Sequence, residues 1–277
     1  MIILDGKSIK NQILDNIRLE VIKLKDRPKL VVIQVGDDPA SGVYVNQKKK
    51  MAEYVGYNFE HIKLPESVLE DEVIEIIDKL NEENGVDGIL VQMPLPNHLN
   101  SKIIQNRIIP SKDVDGLTYI NTGKLVHNCA SLISCTPKGI VDLLDAYKIE
   151  IRGKHVVIVG RSDLVGKPLV NLLLNRDATV SICHSKTKDL STITKLADIL
   201  IVAIGKKEFI DESMIKDKSI VIDVGINRVD NKLYGDVKFD TVSKKASYIT
   251  PVPGGVGPMT IAELAKNVLC AYKINRQ

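Results

Sequence analysis

The feature that most limits what this chain can fold into is a series of strand-length runs dominated by Val, Ile and Leu. They are Lys29–Gly36, Gly88–Gln92, His155–Val159, Thr179–Cys183, Ile199–Ala203 and Ile220–Val224. A strand with one face in water alternates apolar and polar residues. A strand covered on both faces reads as a continuous apolar run, which is the signature of a parallel sheet between two layers of helix. Parallel neighbours also need a crossover of helical length between them. Segments of that length and spacing lie between the runs, at Ser8–Lys25, Ser41–Val55, Glu70–Glu83 and Pro168–Asn175. The pattern predicts an α/β protein built on parallel sheets. With 277 residues the chain has room for one or two domains. The alternation loosens across Asp115–Thr136, where a domain seam is expected, and the helix near Met259–Lys273 can return to either side.

The second half carries a phosphate-binding turn. Val156–Gly160 is a strand running into glycine, followed by Arg161-Ser162-Asp163-Leu164-Val165-Gly166-Lys167-Pro168 and a helix. A glycine there permits a tight turn, and the helix N-terminus offers N–H groups and a positive dipole end to a phosphate. Only Gly160 of the G-x-G-x-x-G fingerprint is in place. Ser162 and Val165 replace the other two glycines, and Gly166 comes one residue late. An ordinary strand-to-helix turn would use the same residues, but three further parallel-type strands follow and favour a dinucleotide. An NAD enzyme usually ends its second strand with a carboxylate for the ribose 2′-hydroxyl. Here the residues are His184-Ser185-Lys186-Thr187, and with Arg161 they offer donors to a 2′-phosphate, which points to NADP. Ser185 also fits a plain turn or cap.

In the first half, Tyr44, Lys48, Met51 and Val55 fall on one face of a helix advancing about 100° per residue. A lysine on an apolar face loses hydration, which lowers its pKa and suits it to proton transfer. A lysine at the edge of the stripe, its head reaching water, fits the spacing equally. Gln92 ends a buried strand before Met93-Pro94-Leu95-Pro96, where open parallel sheets collect ligands, and it can hydrogen-bond a neutral Lys48 amine. Asp113-Val114-Asp115-Gly116 places two carboxylates in a turn. They suit Asx-turn chemistry, or the bidentate grip of an amino-pyrimidine edge. Thr250–Thr260 is a Pro/Gly loop that makes a rigid lead-in to the last helix, with or without a ligand contact.

These segments together resemble the methylenetetrahydrofolate dehydrogenase/methenyltetrahydrofolate cyclohydrolase family of the bacterial type. The matching stretches are Tyr44–Lys48, Val91–Pro96, Lys112–Leu117, Cys135–Gly139, Gly160–Pro168, His184–Thr187, Asp223–Asn227 and Pro251–Thr260, in order along nearly the whole chain. The resemblance implies a catalytic α/β domain at 1–135 completed by a C-terminal helix at about 257–277. It implies a doubly wound, Rossmann-like NADP-binding domain at 136–256, with a cleft between the two, in a homodimer. It implies Lys48 as the acid/base, Gln92 as its partner, Tyr44 packed on the folate and Asp115 on the pterin. Pro253 and Gly254 are expected at the substrate, and Gly160, Arg161, Ser162, Ser185 and Ile226 at NADP. Ser134 departs from the proline that often precedes Cys-Thr-Pro in the family. The implied activity is NADP-dependent oxidation of 5,10-methylenetetrahydrofolate, then hydrolysis to 10-formyltetrahydrofolate, in one-carbon metabolism that feeds purine biosynthesis.

Other classes fit less well. A net charge of +3 does not argue for nucleic acid, and Lys48–Lys50 point around a helix with few aromatics nearby. No apolar stretch reaches the length of a membrane span, and the opening run stops after four residues, too short for a signal-peptide core. Cys129, Cys135, Cys183 and Cys270 have no framework spacing, which suits reduced thiols in a cytoplasmic protein. His127, Cys129 and Cys135 lack a fourth zinc ligand at a recognisable spacing, so no metal is expected. The rival readings are a dehydrogenase acting on a hydroxy or amino acid, and a non-catalytic dinucleotide-binding regulator. The latter would not need a lysine on an inward helix face.

Overall fold

The computed structural model describes residues 1–230 and 232–276. In chain order the elements are β1 (Ile2–Ile3), α1 (Gly6–Val21), β2 (Lys29–Val35), α2 (Pro39–Val55), β3 (Asn58–Leu64), α3 (Glu70–Glu82), β4 (Gly88–Val91), α4 (Ser101–Arg107), α5 (Tyr119–Val126) and α6 (Cys135–Ala146). Then come β5 (His155–Val159), α7 (Gly166–Leu174), β6 (Thr179–Cys183), α8 (Leu190–Thr194), β7 (Ile199–Val202), β8 (Ile220–Asp223), β9 (Asn227–Val229), β10 (Lys232–Tyr234), α9 (Phe239–Val242), β11 (Tyr248–Ile249) and α10 (Val256–Arg276). They form two compact units, one of residues 1–10 and 136–260, the other of residues 11–135 and 261–277.

In the 11–135/261–277 unit, β2 is the centre of a parallel three-stranded sheet of order β3-β2-β4. Successive side chains on a strand point to opposite faces, and β2 divides its residues accordingly. Leu30 and Val32 pack with Leu14, Ile17, Val45, Met51, Val55, Leu264 and Val268 of α1, α2 and α10. Val31, Ile33 and Val35 pack with Val73, Ile77, Leu80 and Ile104 of α3 and α4. A strand buried on both faces is apolar on both, hence the run Leu30–Ile33; the one buried polar residue, Gln34, is satisfied by the Gly36 carbonyl and His61.

The other unit holds a parallel six-stranded sheet of order β1-β11-β8-β7-β5-β6, and β9 and β10 pair as a separate antiparallel hairpin. From β5 the chain pairs β6 on one side and then places β7 on the other, so the strand order reverses at β5. Two expectations need correction. Ile2 and Ile3 pair in parallel with Tyr248 and Ile249, so the first ten residues go with 136–260 and not with the 1–135 block. Thr179–Cys183, read as buried on both faces, is the edge strand β6, and Ile182 is exposed. With β5 on one side only, its other edge has no neighbouring strand, and its side chains before Cys183 are at most partly buried.

Candidate active site

Lys48 is carried by α2, whose start and stop are locally encoded. Asp38 caps its N-terminus, accepting from Ser41 N at 2.7 Å, and Gly56 ends it in the left-handed region at φ 89°. Val45, Met51, Ala52 and Val55 are buried, and half-buried Lys48 continues their stripe. Tyr44, expected on the same inward face, is 42% exposed; Val45 takes the core position beside it.

The Lys48 ammonium donates to Gln92 Oε1 at 2.5 Å. Gln92 is buried at the end of β4, and its Nε2 donates to the Met93 carbonyl at 2.7 Å. That second bond fixes which end of the amide faces the lysine. Ser41 Oγ donates to the same carbonyl at 3.3 Å, tying the start of α2 to the β4 end. Burial pushes the Lys48 amine below its usual range, against the pull of Asp115 and Cys135. Burial likewise raises Asp115 to about 6, opposed by the Lys48 charge and reinforced by Asp113. The Cys135 thiol is driven well above its usual range, first by burial and then by Asp115 and Glu263, so it is no nucleophile here.

The Lys112–Gly116 turn divides its work in a way that sequence reasoning did not resolve. Lys112 is buried, and its ammonium donates to the carbonyls of Leu80, Asn81 and Glu83 at 2.8–2.9 Å, closing the C-terminus of α3. Asp113 is the Asx-type staple: Oδ1 accepts from Gly116 N at 3.0 Å, while Oδ2 accepts from Thr118 N and Asn121 Nδ2, both at 2.9 Å. Gly116 adopts φ 68°, and a Cβ there would overlap the backbone of Ile133 and Ser134. Asn267 of α10 donates to the carbonyls of Val114 and Ile133 at 2.9 and 2.8 Å. Asp115 is the carboxylate left over, half-buried and facing the lysine's charge. The turn chemistry of Asp113-Val114-Asp115-Gly116 signalled a staple without saying which acid makes it, and nothing in the sequence marked Asn267.

In the 136–260 unit, Gly160 follows β5 at the reversal of strand order. Its N–H bonds the Cys183 carbonyl at 2.9 Å, its φ is 127°, and a Cβ would run into the Ala203 backbone beyond β7. Gly166 opens α7, and a Cβ there would strike Gly160 and Arg161. The late glycine therefore does the close strand–helix packing that the third glycine of the fingerprint does. Ser162 Oγ accepts from Val165 N at 3.2 Å, and Arg161 and Ser162 stand exposed on the turn. At the end of β6, His184 N donates to Thr187 Oγ1 at 2.8 Å and Lys186 N to His184 Nδ1 at 3.1 Å. Those two residues make the turn, which leaves Ser185 and Lys186 exposed at its tip. Ile226 is exposed beyond β8. Pro253 and Gly254 lie in the loop before α10, where the Gly254 carbonyl accepts from Lys7 N at 3.1 Å.

Two parallel α/β units, one with a glycine turn built for a phosphate and one with a desolvated lysine held by an amide, define a dinucleotide-dependent enzyme class. Residues 4–115 match the catalytic domain of the tetrahydrofolate dehydrogenase/cyclohydrolase family, and residues 134–276 match its NAD(P)-binding domain. The bifunctional protein FolD of Ligilactobacillus salivarius is 56% identical over 96% of this chain and 95% of its own. The crystal structure of the bifunctional FolD from Campylobacter jejuni is 47% identical, with a TM-score of 0.98 over 99% of both chains. The Trypanosoma brucei enzyme, solved with NADP and an inhibitor, is 36% identical with a TM-score of 0.94 over 99% of this chain and 98% of its own. The chain belongs to the tetrahydrofolate dehydrogenase/cyclohydrolase family. Among the described residues no helix is long and apolar enough to cross a membrane.

Proposed function

We propose that this chain oxidises 5,10-methylenetetrahydrofolate to the 5,10-methenyl compound with NADP⁺ and then hydrolyses that product to 10-formyltetrahydrofolate. The observation that carries the reading is the Lys48–Gln92 hydrogen bond in a chain whose bifunctional FolD relatives are named for both activities.

The residues fit the cofactor. Removing the Cβ at Gly160 and Gly166 opens the backbone to close approach, and Arg161, Ser162, Ser185 and Lys186 supply cationic and hydroxyl donors suited to a phosphate monoester. NADP⁺, when bound, supplies the hydride acceptor. The carbon that gives up hydride lies between two nitrogens whose lone pairs stabilise the resulting amidinium, so this step needs orientation more than proton transfer. Tyr44, Pro253 and Gly254 are assigned to holding the folate.

Hydrolysis is where the lysine is needed. Water adds to the amidinium carbon and loses a proton. The tetrahedral intermediate then breaks one C–N bond, and the leaving nitrogen takes a proton. A partly desolvated amine carries such protons near neutral pH, and the Gln92 oxygen accepts one of its hydrogens, which aims the remaining positions on nitrogen. Asp115, ionised above about pH 6, is assigned to the amino-pyrimidine end of the pterin. We further propose a cytoplasmic homodimer that serves one-carbon supply, including purine biosynthesis.

The test follows NADPH, methenyl- and 10-formyl-tetrahydrofolate together after mixing protein, methylenetetrahydrofolate and NADP⁺. NADPH formation with 10-formyl product faster than the uncatalysed hydrolysis is the expected result. A folded, NADP-binding protein that forms no NADPH would overturn the folate assignment.

A further inference from the structure

Asp236 is fully buried, yet its carboxylate is saturated by donors from the loop after β7 and from the start of β9. Oδ2 accepts from the backbone N–H groups of Ile204 at 2.7 Å and Gly205 at 3.0 Å. Oδ1 accepts from Lys206 N at 2.8 Å and from Asn227 Nδ2 at 2.9 Å. Three successive backbone N–H groups converging on one anion form a nest, the arrangement that elsewhere cradles phosphate. Here the anion is a side chain of the same chain. The nest begins one residue after Ala203, whose backbone is the surface that Gly160 approaches. Asn227 directly follows Ile226. Two further glycines make room for the device. A Cβ on Gly225 would overlap the Asp236 carboxylate, and one on Gly235 would overlap that of Asp223. Asp223 in turn accepts from Asp236 N and Val237 N, both at 2.9 Å, and so fixes the segment after β10 that presents Asp236.

We propose that Asp236 is a positioning residue for the dinucleotide. It clamps the 203–206 loop against Gly160 and, through Asn227, holds Ile226, so that the rim of the cofactor crevice is set before the cofactor arrives. The inference rests on the dinucleotide reading of the Gly160 turn. An asparagine at 236 keeps the shape but has one acceptor oxygen. Its amide nitrogen would face either the Ile204 and Gly205 N–H groups or those of Lys206 and Asn227, donor against donor.

The experiment measures initial rates of the NADP-dependent oxidation for wild type, Asp236→Asn and Asn227→Ala, with NADP⁺ and methylenetetrahydrofolate varied in turn. Expected for Asp236→Asn is a rise of about tenfold or more in KM for NADP⁺, the effect of losing one to two kcal/mol-scale hydrogen bonds. KM for the folate and kcat at saturating NADP⁺ should stay within about twofold, a split that general destabilisation would not produce. Asn227→Ala removes a single donor and should move KM for NADP⁺ in the same direction by a smaller factor. It decides the matter if Asp236→Asn does not fold. Unchanged KM for NADP⁺ in the folded variants, or a parallel fall in kcat with no change in KM, overturns the positioning role. A wild-type protein that binds no NADP⁺ would instead remove the dinucleotide reading beneath it.

Discussion

At the scale of single residues, the site depends on keeping a cation and an anion in partial contact with water. Lys48 and Asp115 are each pushed toward neutrality by burial and drawn back by the other. Replacing Lys48 by Met keeps the length of the side chain and removes the proposed proton carrier. Hydrolysis of methenyltetrahydrofolate should fall by about a hundredfold or more, followed as loss of methenyl absorbance, and a variant with full activity would remove Lys48 from this role. Asp115 carries a stability consequence of opposite sign to most surface acids. Its folded pKa, about 6, lies above the unfolded value of 3.8, so the folded state holds the proton longer. Its contribution to stability is present below pH 3.8 and is lost as pH rises through about 6. Asp115→Asn should therefore be more stable than wild type at neutral pH, by on the order of 1 kcal/mol. The advantage should shrink toward pH 4 in denaturant titrations, and an advantage that grows on acidification would show the sign to be wrong. Spacing and turn chemistry made Lys48 and the two acids candidates, and the family resemblance singled out Lys48 and Asp115. Spacing alone could not separate Asp113 from Asp115, because two acids in one turn look alike until one is seen bonded to backbone N–H groups.

At the scale of elements, legibility follows burial. β2, β4, β7 and β8 are covered on both faces, and their apolar runs stand out. β3, Asn58-Phe59-Glu60-His61-Ile62-Lys63-Leu64, pairs only with β2 and is part-exposed along its length, so it escaped notice. β1 and β11 are two residues each and have no period to read. Helix ends were legible with and without local caps: α2, capped at Asp38 and Gly56, was expected at Ser41–Val55, and α3 at Glu70–Glu83. The carbonyls at the end of α3 are satisfied by Lys112, about thirty residues on, rather than by a local glycine. Lys112→Met should leave those carbonyls short of partners and destabilise the protein by roughly 2–3 kcal/mol. Thermal melting checks this, since roughly 2–4 °C is lost per kcal/mol in a chain of this size. A melting temperature equal to wild type would mean that water replaces the ammonium at no cost.

At the scale of the whole molecule, both units are discontinuous in sequence. Residues 261–277 complete the core around β2 through Leu264, Val268 and Leu269, and residues 1–10 supply a strand to the six-stranded sheet. A chain divided at 135/136 should therefore give two pieces that each lack part of their own core. Expressed apart they should be insoluble or molten. Expressed together they should associate and recover the oxidation activity. A soluble, cooperatively melting 136–277 fragment would show that the missing strand and the unpaired face of α10 matter little. The pairing of Ile2 and Ile3 with Tyr248 and Ile249 also bears on how the protein is made. During synthesis at about 5–20 residues per second, the first partner waits roughly 10–50 s for the second to be translated. The core around β2 is completed later still, when residues 261–277 have been translated. Neither the six-stranded sheet nor the core around β2 can be finished on the ribosome until almost all of the message has been read, so a nascent chain that stalls late is exposed to chaperones and proteases with both of its cores still open.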